Sequence, residues 1–409
     1  MSEPHPQLGI RDVLKIFEVR RIWLAQIVSL FGDFLAIFAV LTQVSFQFHA
    51  SATEVTGISV SFLLPFAIIG PIVGVFADRW NVKRTMIASD LVRSLLAMLL
   101  FFAGGVWWIY GTLFALSIVS TFFVPSQSIA IRTVTPPEGL LSANALMQQA
   151  MQIVRIVTPA LAGALVGWFG AKFCYGIDAV SFLVSAALLS TVGISRTPAV
   201  PDKDSHPVRA VIDDLWAGVK YIVTHPALNF AILSIAAGLF AISCFGPLIA
   251  VYVRDELKSS ELVFGIVNSL IGIGMIAGTL VTNRLAQGRS KTHLVLLGLL
   301  IMGLFVLLLA AIKSIPGASL GMFGIGVGVM LVIVSAQTMM QGQTPVELVG
   351  RISSSVWSLI SIAQLLGLVV SGSLAHRIGI TNVFYATAAL LAALAAFGYF
   401  IAPRGEAHA

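Results

Sequence analysis

Apolar residues run along this chain in long blocks separated by short polar connectors, without the strict apolar–polar alternation of a half-buried strand. About 20 such residues cross a bilayer as a helix, and a helix pairs its own backbone where no water can. The blocks predict twelve membrane helices, over 22–48, 57–77, 85–104, 107–131, 143–168, 172–194, 227–252, 262–285, 292–312, 317–341, 351–375 and 381–402. Almost nothing is left over for a soluble domain.

Composition narrows this to an all-α polytopic membrane protein. With 58% hydrophobic and 10% charged residues and a mean hydropathy of +0.97, the polar groups could not cover a water-facing surface. Residues 1–21 are polar and basic and lack a cleavable signal pattern, so the first span is an uncleaved membrane helix. Cys174 and Cys244 lie in apolar surroundings without CxxC spacing, which predicts packing and neither a disulfide, a metal site nor a cofactor.

The net charge of +6 does not mark a nucleic-acid binder, because the bases are dispersed among the connectors. One side of the membrane receives Arg11, Lys15, Arg20, Arg21, Arg79, Lys83, Arg84 and ten more, the other only Lys172, Arg254, Lys258, Lys313 and Arg377. The richer side is expected to be cytoplasmic, with both termini.

The chain repeats itself. A shift of 208 lays Gly57, Ile58, Ser61, Ile68 and Gly70 on Gly265, Ile266, Ser269, Ile276 and Gly278. A shift of 209 lays Thr135, Pro136 and Glu138 on Thr344, Pro345 and Glu347, and Gly163 and Gly170 on Gly372 and Gly379. Two pseudo-symmetric six-helix bundles follow, over 22–194 and 227–402, flanked by tails 1–21 and 403–409. A linker over 195–226 joins them, with an amphipathic helix near 208–223 expected to lie on the membrane face.

Between the second and third spans stands Gly74-Val-Phe-Ala-Asp78-Arg79-Trp-Asn-Val-Lys83-Arg84. It resembles the loop signature of the major facilitator superfamily, with Asn81 where a glycine is usual; the aligned connector of the second half keeps Arg289 and Lys291 but has no acid. The resemblance implies the major facilitator fold and a conformational latch built from Gly74, Asp78, Arg79, Lys83 and Arg84, closed in one state and open in the other. Ser142 to Leu146 and Gln343 to Ile352 are similar to the drug and siderophore exporter branch, which includes macrolide efflux proteins and the enterobactin exporter. In the fifth span Pro159, Gly163 and Gly167 resemble the helix-five motif of proton-coupled antiporters, although the glycine before the proline is missing. Gly163 and Gly167 are expected to pack tightly against a partner helix.

Ionisable groups inside a bilayer are costly and therefore functional candidates. Asp33 falls near the middle of the first span, and related exporters carry an acid in that helix, so it is the expected proton carrier. Arg155, at similar depth, is expected to pair with Asp33 or with Asp178. Asp90 and Arg93 stand three apart on the third span, where an intrahelical pair is expected to suffice. If the family architecture holds, Phe34, Phe38, Gln43, Phe123, Ser126, Gln127, Phe245 and Gln337 line an apolar substrate cavity with few polar anchors.

These readings combine into a monomeric secondary transporter of a bacterial inner membrane. Its partners are the lipid bilayer, protons and a small amphiphilic, drug-like or macrolide-like compound, which it exports by proton antiport and alternating access. A siderophore or lysophospholipid transporter is the alternative within the fold. A membrane-embedded enzyme is the alternative outside it, unsupported by any HExxH or nucleophile-elbow motif among the seven histidines and two cysteines.

Overall fold

The computed structural model describes residues 8–70, 73, 80–194, 216, 220–286, 290–343 and 349–401. Among them the only regular elements are helices, and these match the twelve expected spans. We number them α1 (Phe17–Thr42), α2 (Ala52–Ile68), α3 (Val82–Leu99), α4 (Val106–Val134), α5 (Leu140–Phe169), α6 (Ala171–Ser190), α7 (Pro226–Asp255), α8 (Glu261–Leu285), α9 (Lys291–Ala311), α10 (Ile315–Gln343), α11 (Val349–Ile378) and α12 (Ile380–Ile401). Several begin a turn before the apolar block does, α1 by five residues, because a helix continues with polar residues beyond the hydrocarbon. Gly74, Asp78, Arg79 and almost all of the linker lie outside the described residues.

Local chemistry explains the ends. Asn81, standing at the usual glycine position of the loop, caps α3: its side chain accepts the backbone N–H of Arg84 at 3.0 Å. Lys83 donates to the carbonyl of Ser190 at the end of α6, 2.6 Å away. A single turn, Ile10–Val13, precedes α1; Leu8 and Val13 pack with Ala143 and Leu146 of α5, and Ser142 donates to the Leu8 carbonyl. On that turn the Lys15 ammonium, 2.8 Å from Asp12, holds the Asp12 carboxyl below its ordinary range.

The internal repeat is written in the turns. Two non-glycine residues among those described have positive φ, His49 at 49° and Lys258 at 48°, and they stand 209 apart. Each follows the first helix of its half and sits inside the same backbone bond, Ala50 N–H to Val44 in one case and Ser259 N–H to Val253 in the other. Gly170 and Gly379, also 209 apart, have φ of 79° and 85° and form the sole residues between α5 and α6 and between α11 and α12. Each donates to the carbonyl four residues back, so a glycine of positive φ ends one helix and starts the next.

The chain divides into two compact units, Met1–Gln43 with Leu64–Val208, and Val44–Leu63 with Arg209–Ala409. In the first, α6 packs on α1 and α3, α5 on α1, and α4 on α3. In the second, α12 packs on α9 and α7, α11 on α7, and α10 on α9 and α8. Glycines set the α8–α10 spacing: a Cβ at Gly278 would stand 2.6 Å from the Val327 carbonyl oxygen, and Gly274 and Gly326 are equally confined by the facing backbone.

The first part of α2, up to Leu63, belongs to the second unit although it lies in the first half of the sequence. Thr53 Oγ1 donates to the Gly372 carbonyl of α11 at 3.0 Å, and a side chain at Gly372 would overlap Thr56. Arg254, at the end of α7, donates to the carbonyls of Ser45 and Ala50 and forks onto Asp255.

Candidate functional site

The chemistry-bearing residues of the first unit gather where α1, α3, α4 and α6 meet. Asp33 occupies the middle of the Phe17–Gln47 span, 26% of its side chain exposed. Its Oδ2 lies 3.5 Å from Nη1 of Arg93 on α3. The other guanidinium nitrogen, Nη2, donates to Asp90 Oδ1, one helical turn back, and Ser185 of α6 donates to Asp90 Oδ2 at 2.6 Å. Arg93 is itself buried, its Cζ 4.3 Å from the ring centre of Phe123 and 4.4 Å from that of Phe182. Two aromatic faces and two carboxylates thus enclose one cation.

Asp178 completes the cluster from α6. It is 1% exposed, and among the described residues its Oδ1 has no hydrogen-bond partner. Gly32 brings it close: a Cβ there would stand 2.6 Å from Asp178 Oδ1 and would overlap Ser181. Only glycine at position 32 lets α6 approach the backbone beside Asp33. Three carboxyl groups therefore share the neighbourhood of one guanidinium.

The structure brings Asp33 and Asp178 together, and the base between them is Arg93. Arg155 is exposed on α5 and forms no ion pair with a described residue, so the expected pairing with Asp33 or Asp178 is absent. Nor is the Asp90–Arg93 pair closed on itself, since the guanidinium has a second edge and uses it on Asp33. No spacing in the sequence reveals that edge, because the contact depends on which helices are neighbours.

The remaining candidates separate by environment. Gln43 is buried and accepts the Tyr175 hydroxyl at 2.6 Å; Ser126 is buried and donates within its own helix to Phe122; Phe123 is buried beneath Arg93; Phe245 is fully buried core. These four make packing contacts, not the open cavity wall expected of them. Phe34, Phe38 and Gln127 are half-buried, with Gln127 bonded to Gln26 of α1, and Gln337 is exposed on α10. On α5, Pro159 and Gly163 are buried, whereas Gly167 faces open space, with nothing among the described residues within 4 Å of where its Cβ would stand. The predicted tight packing fails at Gly167. Among the described residues no group of acids, histidines and cysteines is arranged to hold a metal ion.

The family model described as Major Facilitator Superfamily matches residues 22–363 and 231–409. Macrolide efflux protein A of Streptococcus pyogenes is 25% identical over 91% of this chain and 93% of its own length. Multi-drug resistance efflux pump PmrA of Streptococcus pneumoniae serotype 4 is also 25% identical, over 94% of this chain and 95% of its own. In fold, the chain is similar to a bacterial homologue of the human lysosomal transporter Spinster, with a TM-score of 0.75 at 14% identity, covering 95% of this chain and 97% of that one.

Proposed function

Because the chain belongs to the Major Facilitator Superfamily, a family of transporters, we propose that it exports amphiphilic organic compounds across a bacterial inner membrane in exchange for protons. Export is supported by the two efflux relatives, which match nearly end to end. Proton exchange is supported by one observation, the excess of acid around Arg93.

With Asp33, Asp90 and Asp178 all ionised, one guanidinium would leave two negative charges uncompensated. Each uncompensated ion in such a site costs several kcal/mol, a cost that taking up a proton removes. Of the three acids, Asp33 alone is partly exposed, which makes it the group that meets water or substrate. In this reading, Asp33 releases its proton on one side of the membrane and regains it on the other as the two halves rock. The loop with Gly74, Asp78, Arg79, Lys83 and Arg84 serves as the cytoplasmic latch, with both termini on that side.

The deciding experiment uses proteoliposomes, an imposed pH gradient and a labelled macrolide-like compound. Wild type should accumulate the compound against its gradient, and Asp33→Asn should lose at least nine-tenths of that accumulation. Unaltered accumulation by Asp33→Asn would remove Asp33 from the coupling step.

A further inference from the structure

Arg155 is the second arginine in the membrane-spanning part of the first unit, and the acid cluster makes no use of it. Arg93 is enclosed by carboxylates and aromatic rings, whereas Arg155 is exposed and has no ion pair or hydrogen bond among the described residues. Its place on α5 shows what it faces. At 3.6 residues per turn, Asn144, Gln148 and Arg155 fall within about 40° of one another, and all three are exposed. Ile153, Val157 and Leu161, exposed at 62%, 44% and 41%, lie on the other side of the helix and suit lipid. A guanidinium midway along a membrane helix belongs on a face that water or a polar ligand can reach.

We infer that Arg155 is the recognition group for an anion on the transported molecule, so that the substrate class is an amphiphilic organic acid with a carboxylate or phosphate head. The planar fork of arginine fits either group through two parallel hydrogen bonds. Asn144 and Gln148, about three and two turns away along the same face, offer amide donors to the rest of the polar part. No described side chain neutralises Arg155, so an anionic ligand is the counter-charge that its position lacks. This inference rests on the exporter reading and names its substrate class.

The test measures binding to the purified full-length protein by tryptophan fluorescence, in two arms. One compares a carboxylated xanthene dye with its methyl ester; the other compares a single-chain lipid bearing a phosphate monoester with its phosphocholine counterpart. The anionic member should bind at least tenfold more tightly in one arm, which identifies a free organic acid or a lipid headgroup as the source. Arg155→Gln should abolish that preference while leaving affinity for the ester or phosphocholine member unchanged. Equal binding of both members in both arms by wild type, or a preference that survives Arg155→Gln, overturns the inference. Should Arg155→Gln fail to fold, Arg155→Lys decides: a reduced preference supports the inference and an unchanged one refutes it. Absence of any anion preference in wild type alongside intact gradient-driven transport refutes this inference alone. Intact preference without gradient-driven transport in wild type refutes the exporter reading alone.

Discussion

Arg93 Nη1 stands 3.5 Å from Asp33 Oδ2, joining the middle of α1 to α3 through a guanidinium that also holds Asp90. This contact makes a charged group that would otherwise be a packing defect into the centre of the first unit. It also ties the partly exposed Asp33 to acids that solvent hardly reaches.

Arg93 should therefore be a stability residue as well as an electrostatic one. Removing one partner from a buried ion pair typically costs about 3–5 kcal/mol, because the other charge is left without compensation. Arg93→Ala should lower the thermal unfolding temperature in detergent sharply. Arg93→Met combined with Asp90→Asn should recover part of the loss, since it removes the guanidinium together with its fully buried partner and leaves Asp33, the partly exposed acid, in place. Arg93→Lys should fall between them, keeping the charge while losing the fork and the stacking on Phe123 and Phe182. A double variant no more stable than Arg93→Ala would refute the electrostatic account.

The paired turns permit a cleaner conformational test. A Cβ at Gly170 or Gly379 would meet nothing within 4 Å, so the cost of alanine there is that of the backbone conformation alone, about 1–3 kcal/mol at each site. Gly170→Ala and Gly379→Ala should destabilise by similar amounts. Gly167→Ala, in open space on a helix with ordinary φ, should be neutral or slightly stabilising. Unequal costs at the two paired glycines, measured by thermal unfolding, would contradict their structural equivalence.

How far the sequence carries is visible in these residues. The twelve helices were legible because a bilayer demands long apolar runs, and the repeat because its turns require the same unusual backbone. Gly170 and Gly379 appear in the sequence as glycines at a constant offset. The matching pair of His49 and Lys258 does not, because neither residue type advertises a positive φ. Asp33 could be found from depth alone. Its partner could not: Asp90 and Arg93 read as a self-contained pair, and Arg155 lay at a suitable depth for the role. Which arginine faces which acid depends on lateral packing, here on Gly32 admitting α6, and apolar helix surfaces leave little trace of that choice in composition. The same ambiguity put Gln43 and Phe245 on a cavity wall when both are buried.

The contact of α2 with α11 offers a test of motion. A Cβ at Gly372 would stand 3.4 Å from the Thr53 Cα, within reach of a disulfide if both positions were cysteine and Thr56, whose Oγ1 would lie 2.1 Å from that Cβ, were cut back to alanine. The native cysteines Cys174 and Cys244 are buried, which limits background reaction. If α2 and α11 must part during the cycle, oxidising Thr53→Cys/Thr56→Ala/Gly372→Cys should cut transport at least tenfold relative to the same variant reduced, and dithiothreitol should restore it. Undiminished transport with the disulfide fully formed would show that this contact persists throughout.

Asp33 and Asp178 should divide the work by exposure. Asp33 has an open edge and lies 3.5 Å from the Arg93 guanidinium, so in the proposed cycle a change in its protonation can be exchanged with water. Asp178 is shut in behind Gly32, with one oxygen lacking any described partner, an arrangement that suits a neutral acid better than an anion. Asparagine resembles a neutral carboxylic acid in size, so Asp178→Asn should keep normal stability and at least half of the gradient-driven transport. Asp33→Asn should fold equally well but lose the pH dependence of transport, while still exchanging substrate across the membrane without a gradient. Measuring uptake against internal pH for both variants separates the roles. A flat pH profile for Asp178→Asn with a normal one for Asp33→Asn would reverse the assignment and place the travelling proton on the buried acid.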